Sequence, residues 1–314
     1  MHSRIAHMNP EAEIETDRQH VSPVTSRSRG ETRQAPRRAT LLTDDGVPIE
    51  AEYRPRTGRT EDPDGPAAEP GGSGDEPVIV VAHGFTGALG RPAVRRVAAT
   101  FAERAAVISF SFRGHGGSGG LSTVGDREVL DLAAAVRWAR TLGHRRVVTV
   151  GFSMGGSVVI RHAALYGPKG PEAGPVPGVV TGGRTEARTD AVVAVSAPAR
   201  WYYRGTAPMR RVHWVISRPA GRLIGRYGFR TRINTRDWDP VPLSPVESVP
   251  LIAPTPLLVV HGDNDPYFPV DHPRSLLAAS DGAAELWLEP GLGHAENAVD
   301  APLLTRIADW LATA

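Results

Sequence analysis

Val147-Val148-Thr149-Val150-Gly151-Phe152-Ser153-Met154-Gly155-Gly156 carries an apolar run directly into a serine set among glycines, and the run Ser157 to Tyr166 follows at once. The first stretch reads as a buried strand and the last as a helix. A serine on such a tight strand-to-helix turn needs small neighbours because the backbone there is strained and crowded, and the turn lifts its hydroxyl clear of the sheet. The helix N-terminus beneath it favours developing negative charge. Gly-x-Ser-x-Gly alone says little in a chain with 34 glycines. The strand before it and the helix after it make Ser153 a candidate nucleophile, and Ser118 and Ser157 lack that setting.

Outward from this turn, short β-rich runs alternate with helical stretches, which predicts a mainly parallel sheet with helices on its faces. Core strands are expected at Val78 to Ala82, Val107 to Phe110, Val147 to Gly151, Ala191 to Ser196, Leu257 to Val260 and Glu285 to Leu288. Ala39 to Thr43 and Val47 to Tyr53, joined across Asp45-Gly46, read as an opening antiparallel hairpin. In Asp126 to Leu142, Leu130, Ala134 and Trp138 recur at four-residue spacing while Arg137 and Arg140 occupy other faces, as in an amphipathic helix. The fold class is therefore α/β, with a mainly parallel central sheet of about eight strands.

A serine hydroxyl is a weak nucleophile and requires a general base that an acid holds in the right tautomer. Both are present downstream. His261-Gly262-Asp263-Asn264-Asp265-Pro266 follows one predicted strand and Gly293-His294 follows the next. Each sits at a carboxyl strand end, where open parallel sheets bind ligands. The residues alone leave Asp263 and Asp265 both open as the acid. His83 and His115 lie in loops near the presumed site and read as loop-shaping hydrogen-bond groups, and His261, which ends a strand, reads as structural.

With these motifs the chain resembles the α/β-hydrolase superfamily from about Ala39 to Ala314, most of all its lipase-like, monoacylglycerol-lipase and serine-aminopeptidase branch. The resemblance places the acid before the proline, and so implies a triad of Ser153, Asp265 and His294. It implies that His83-Gly84-Phe85-Thr86 is an oxyanion-hole loop in which the Phe85 N–H joins that of Met154. Arg113-Gly114-His115-Gly116-Gly117-Ser118 likewise resembles the Gly-rich loop that many members carry after the next strand. The activity implied is a serine hydrolase cleaving a carboxylic ester-like acyl bond through an acyl-enzyme, on a small-molecule acyl substrate and with no cofactor or metal. Thioester or amide hydrolysis, carbon-carbon bond hydrolysis, cofactor-free perhydrolysis and a non-catalytic binding protein are the rival outcomes on the same residues.

Other chemistries find less support. No His-x-x-x-His or paired acid-histidine spacing of a zinc site appears. Gly114-His115-Gly116-Gly117-Ser118-Gly119 fits a dinucleotide turn only loosely, since no helix begins at once after it. A serine at 153 argues against dehalogenase and epoxide-hydrolase chemistry, which need a carboxylate nucleophile.

A hydrophobic fraction of 40% and a charged fraction of 22% in 314 residues predict a sizeable buried core. A net charge of +2 is too balanced for nucleic-acid binding by the whole chain, and the absence of cysteine removes disulfides and thiolate catalysis. Glu11, Glu13, Glu15 and Asp17 interrupt any signal-peptide core, and no apolar run approaches the roughly 20 residues of a membrane span, so a cytoplasmic protein is expected. Residues 1–38 read as a disordered N-terminal tail, with the fold at 39–314 and flexible insertions at 54–76 and 169–189. Between Ser196 and Leu257 lie about sixty residues, too many for a plain loop; the resemblance implies a short helical cap there, at about 198–250. From Pro198 to Trp238 ten arginines face one acid, Asp237, a local balance of +9, with seven aromatic residues interleaved. Aromatics packed on the core beneath solvated arginines is the plain expectation; contact with an anionic substrate or an anionic membrane surface is the sharper one. The oligomeric state has no signature in the sequence.

Overall fold

A computed structural model of the chain describes residues 35–57, 76–170 and 185–314. The predicted tail up to residue 34, and the parts of the two predicted insertions at 58–75 and 171–184, lie outside the described residues. Eight strands form one sheet: β1 (Arg37–Leu42), β2 (Pro48–Arg54), β3 (Val78–Ala82), β4 (Ala106–Phe110), β5 (Val147–Phe152), β6 (Ala191–Val195), β7 (Leu257–Gly262) and β8 (Ala284–Glu289). Their spatial order is β1-β2-β4-β3-β5-β6-β7-β8. The hairpin β1–β2 and the pair β2–β4 are antiparallel, and every other pairing is parallel.

The central strands have no polar face because both faces are covered. Alternation along β3 sends Val78, Val80 and Ala82 into one apolar cluster and Ile79 and Val81 into the other. Leu130 and Val136 of α2 (Glu128–Thr141) and Val158 and Ile160 of α3 (Met154–Tyr166) join the first cluster. On the opposite face, Val97 and Phe101 of α1 (Pro92–Ala102) meet Leu304 and Ile307 of a C-terminal helix, Ala301–Thr313.

α3 starts at Met154, ahead of the predicted Ser157. The glycines that read as a turn are in the helix because it crosses the sheet so closely: a Cβ on Gly155 would run into the carbonyls of Ala82 and His83.

Between β6 and β7 the chain forms α4 (Ala207–Ser217), α5 (Pro219–Gly228), α6 (Pro245–Ser248) and a 3-10 turn at Val249–Leu251. Isolated bridges His115 to Thr231 and Ser122 to Ile233 fasten this segment to the loops after β4. The aromatic residues here divide. Trp201 packs edge-on against Trp238 and Tyr203 against His272, while Tyr202, Trp214, Tyr227 and Phe229 are exposed. The plain expectation that all of them pack on the core is therefore corrected. After β7 come α7 (Asp271–Ala279), then β8, α8 (Ala295–Ala298) and α9 (Ala301–Thr313). No helix among the described residues is long and apolar enough to cross a membrane.

Candidate active site

Ser153 sits between β5 and α3 with φ of 51° and ψ of −113°, a conformation that costs an L-residue strain and is held by its surroundings. Its N–H donates to the Val195 carbonyl of β6 at 2.9 Å. A Cβ on Gly151 would collide with the Gly155 carbonyl, so the two glycines of the motif let strand and helix meet at this angle. Nothing about the serine's own chemistry requires them; the tightness of the turn does.

Asp265 and His294 reach the serine from the loops after β7 and β8. His294 Nε2 lies 2.9 Å from Ser153 Oγ, and His294 Nδ1 lies 2.7 Å from Asp265 Oδ2. The other carboxylate oxygen, Oδ1, accepts the N–H groups of Tyr267 at 2.8 Å and Phe268 at 3.2 Å. Burial pushes the Asp265 carboxyl up, but the hydrogen bond and charge of His294 and those two backbone donors outweigh it and hold the group below its ordinary value. It is thus an ionised acceptor that leaves the proton on Nδ1 and Nε2 free to accept from the serine. The Asp265 side chain is wholly buried and that of His294 is 15% exposed, at the edge of solvent.

The rival groups have other partners. Asp263 Oδ1 accepts the N–H of Gly291, in the loop after β8, at 2.6 Å. His83 Nε2 accepts the Phe112 N–H at 3.0 Å, which puts its proton on Nδ1, 2.7 Å from the Gly84 carbonyl. Burial pushes His83 down to about 3, so it is neutral and braces the loop. His115 Nδ1 lies 3.0 Å from the Arg113 carbonyl, and His261 Nε2 donates to the Phe268 carbonyl at 2.8 Å.

Phe85 and Met154 are brought to the same end of the sheet, one after β3 and one at the first turn of α3. Neither backbone N–H has an acceptor among the described residues. An N–H at the first turn of a helix and a second free one in the loop after β3 are donors of the kind that can hold an oxyanion.

Three contributors lie outside the sequence motifs. The Tyr267 ring stacks on His294 with centroids 4.2 Å apart and fixes the imidazole plane. Ser196 Oγ accepts the Ala295 N–H at 3.1 Å and anchors the residue after the histidine. Glu296 is 6% exposed, and its Oε1 accepts the Gly84 N–H at 3.0 Å. A Cβ on Gly84 would lie 3.0 Å from Glu296 Oε2 and 3.3 Å from Ser153 Cβ, so this backbone is wedged between the carboxyl and the serine. Burial pushes the Glu296 carboxyl above its ordinary value. The sequence clue was an acid two positions after His294, with no periodicity to mark it.

A cavity of about 750 Å³, lined by Arg113 and Arg161 together with Trp238 and Leu243 of the segment between β6 and β7, does not include Ser153 or His294.

A sequence model of the alpha/beta hydrolase family matches residues 74–306. The esterase Pf2001 of Pyrococcus furiosus superposes with a TM-score of 0.61 at 20% identity, over 88% of this chain and 92% of that one. The alpha/beta hydrolase GrgF of a Penicillium species superposes with a TM-score of 0.56 at 18% identity, over 88% and 98%. At such identities the likeness is one of fold. No curated protein matches the chain in sequence.

Proposed function

Because the chain belongs to the alpha/beta hydrolase family, we propose that it is a serine hydrolase that cleaves carboxylic ester-like acyl bonds through an acyl-enzyme. The observation that carries the reading is the unbroken line Asp265 Oδ2, His294, Ser153 Oγ, with contacts of 2.7 and 2.9 Å. Ser153 Oγ attacks the acyl carbon while His294 Nε2 takes its proton. The carbonyl electron pair moves onto oxygen, where the Phe85 and Met154 N–H groups stabilise it. As the tetrahedral adduct collapses, the bond to the leaving alcohol breaks and the imidazolium returns its proton to that oxygen. Water then repeats the sequence against the acyl-serine, giving the free acid and restoring the hydroxyl. Asp265 stays ionised throughout and stabilises the imidazolium.

A panel of p-nitrophenyl esters graded by acyl length, run beside matched thioesters and anilides, tests this. The expected result is ester turnover that falls roughly 10⁴-fold in Ser153→Ala and in His294→Ala, with the fold intact by circular dichroism. Wild-type rates in either variant contradict the assignment. Faster turnover of the thioester or anilide series moves the bond class and keeps the triad.

A further inference from the structure

Leu223, Ile224 and Tyr227 of α5 are 58%, 48% and 74% exposed, and Trp214 of α4 is 45% exposed. At positions i, i+1 and i+4, the three α5 residues share one face of that helix. The opposite face carries the buried Gly221 and Gly225, the first against α4 and the second chiefly against Thr231 and Ile233. A Cβ on Gly221 would strike the Trp214 carbonyl and the Val215 backbone. Gly221 therefore fixes the rotation of α5: rolling its apolar face inward would put a side chain where no Cβ fits. Large apolar groups are held outward by construction.

Charge surrounds them. Between Ala207 and Arg230 stand six arginines and no acid. None of the six forms an ion pair among the described residues, whereas Arg200, outside the hairpin, is paired with Asp271. The hairpin is also tied to both sides of the candidate site. Thr206, the N-cap of α4, donates to the carbonyl of Tyr267, whose ring stacks on His294. Thr231, just after α5, bridges to His115, whose ring meets Phe85 edge-on.

We propose that the α4–α5 hairpin is a docking surface for anionic phospholipid membranes, entered by Leu223, Ile224 and Tyr227 and held at the headgroups by Arg211, Arg218 and Arg226. A second copy of this chain is disfavoured, because a two-fold contact would set the same uncompensated positive patch against itself. A small anionic ligand would use the charge and leave the aliphatic side chains unexplained. A lipid surface uses both: aliphatic groups below the headgroups, aromatic rings at their level, guanidinium groups on phosphate. Docked in this way, the hairpin sets the candidate site against the lipid surface. The inference concerns binding and holds whichever bond the site cleaves.

Co-sedimentation of the full chain with vesicles of phosphatidylcholine alone, and with about 30 mol % phosphatidylglycerol, tests it. The expected result is at least about tenfold tighter binding to the anionic vesicles, lost as salt rises and the Debye length shrinks from about 10 Å toward about 3 Å. The combined variant Leu223→Ser, Ile224→Ser and Tyr227→Ser, and separately Arg211→Gln, Arg218→Gln and Arg226→Gln, should each weaken anionic binding about tenfold or more. Turnover of a short soluble ester should stay at the wild-type rate in both, which shows them folded. No vesicle binding, or equal binding to both compositions, overturns the proposal. So does a wild-type dimer by light scattering that the apolar variant makes monomeric, or polyglutamate binding as tight as vesicle binding. Failure of ester turnover in the wild type would count against the hydrolase reading and leave the vesicle result standing.

Discussion

At the scale of the residue, Asp263 and Asp265 share one loop and differ in what their carboxylates meet. Asp263 holds Gly291 of the loop after β8, and Asp265 faces the His294 imidazole. Asp265→Asn should therefore lower kcat by roughly 10⁴-fold, since an amide holds the imidazole in the wrong tautomer. Asp263→Asn should stay within a few-fold of wild type in steady-state kinetics; the reverse ranking would name the other acid. Glu296 acts one step further out, as a positioning residue that grips the Gly84 N–H beside Phe85. Its burial raises the cost of charge, and an amide oxygen can accept the same N–H. Glu296→Ala should thus lower kcat by roughly ten- to a hundredfold with little change in KM, and Glu296→Gln should restore most of it at an unchanged melting temperature. If Gln is as damaging as Ala, the hydrogen bond is not what matters.

At the scale of the element, the runs of β-branched and aliphatic residues that are buried on both faces were readable from sequence, and β3, β5, β6 and β7 lie where the pattern put them. Boundaries at glycine were not. The start of α3 was displaced because a glycine pair signals a turn locally, whereas here it answers to the carbonyls of Ala82 and His83, which local pattern does not contain. The sites on strand ends were legible for the same reason as the strands, since each motif residue follows an apolar run. Tyr267, Ser196 and Glu296 were not legible, because their roles arise from contacts between loops far apart in the chain. The cap aromatics show a further limit. Helical spacing identifies a shared face, and it took the close approach of Gly221 to the α4 backbone to decide that the α5 face points outward.

At the scale of the whole molecule, a net charge of +2 conceals a segment at +9 from Pro198 to Trp238, so the remainder of the sequence sums to a net negative charge. Besides the β2–β4 pairing, a buried cation ties the antiparallel edge to the rest. Arg113 binds Asp45, in the turn after β1, at 2.7 Å and Asp131 of α2 at 2.7 Å. Burial pushes the Asp45 carboxyl up, but its hydrogen bonds from Arg113, Thr43 and Arg127 and the Arg113 charge carry it from 3.8 down to about 2. A carboxylate so lowered stabilises the fold above its unfolded value, and the contribution, on the order of 1 kcal/mol once solvent screening of this half-buried group is counted, is lost as pH falls from about 4 to about 2. Urea midpoints measured across that window should fall more steeply for wild type than for Asp45→Asn; parallel curves would remove Asp45 from the account. The central claim rests on the nucleophile itself, and covalent labelling with a fluorophosphonate reads it directly. Ser153 Oγ should displace fluoride and leave one phosphonyl group per chain, mapped by mass spectrometry to the peptide containing Ser153 and missing in Ser153→Ala. No adduct on the native protein, or an adduct on Ser118 or Ser157 that survives Ser153→Ala, would contradict the account.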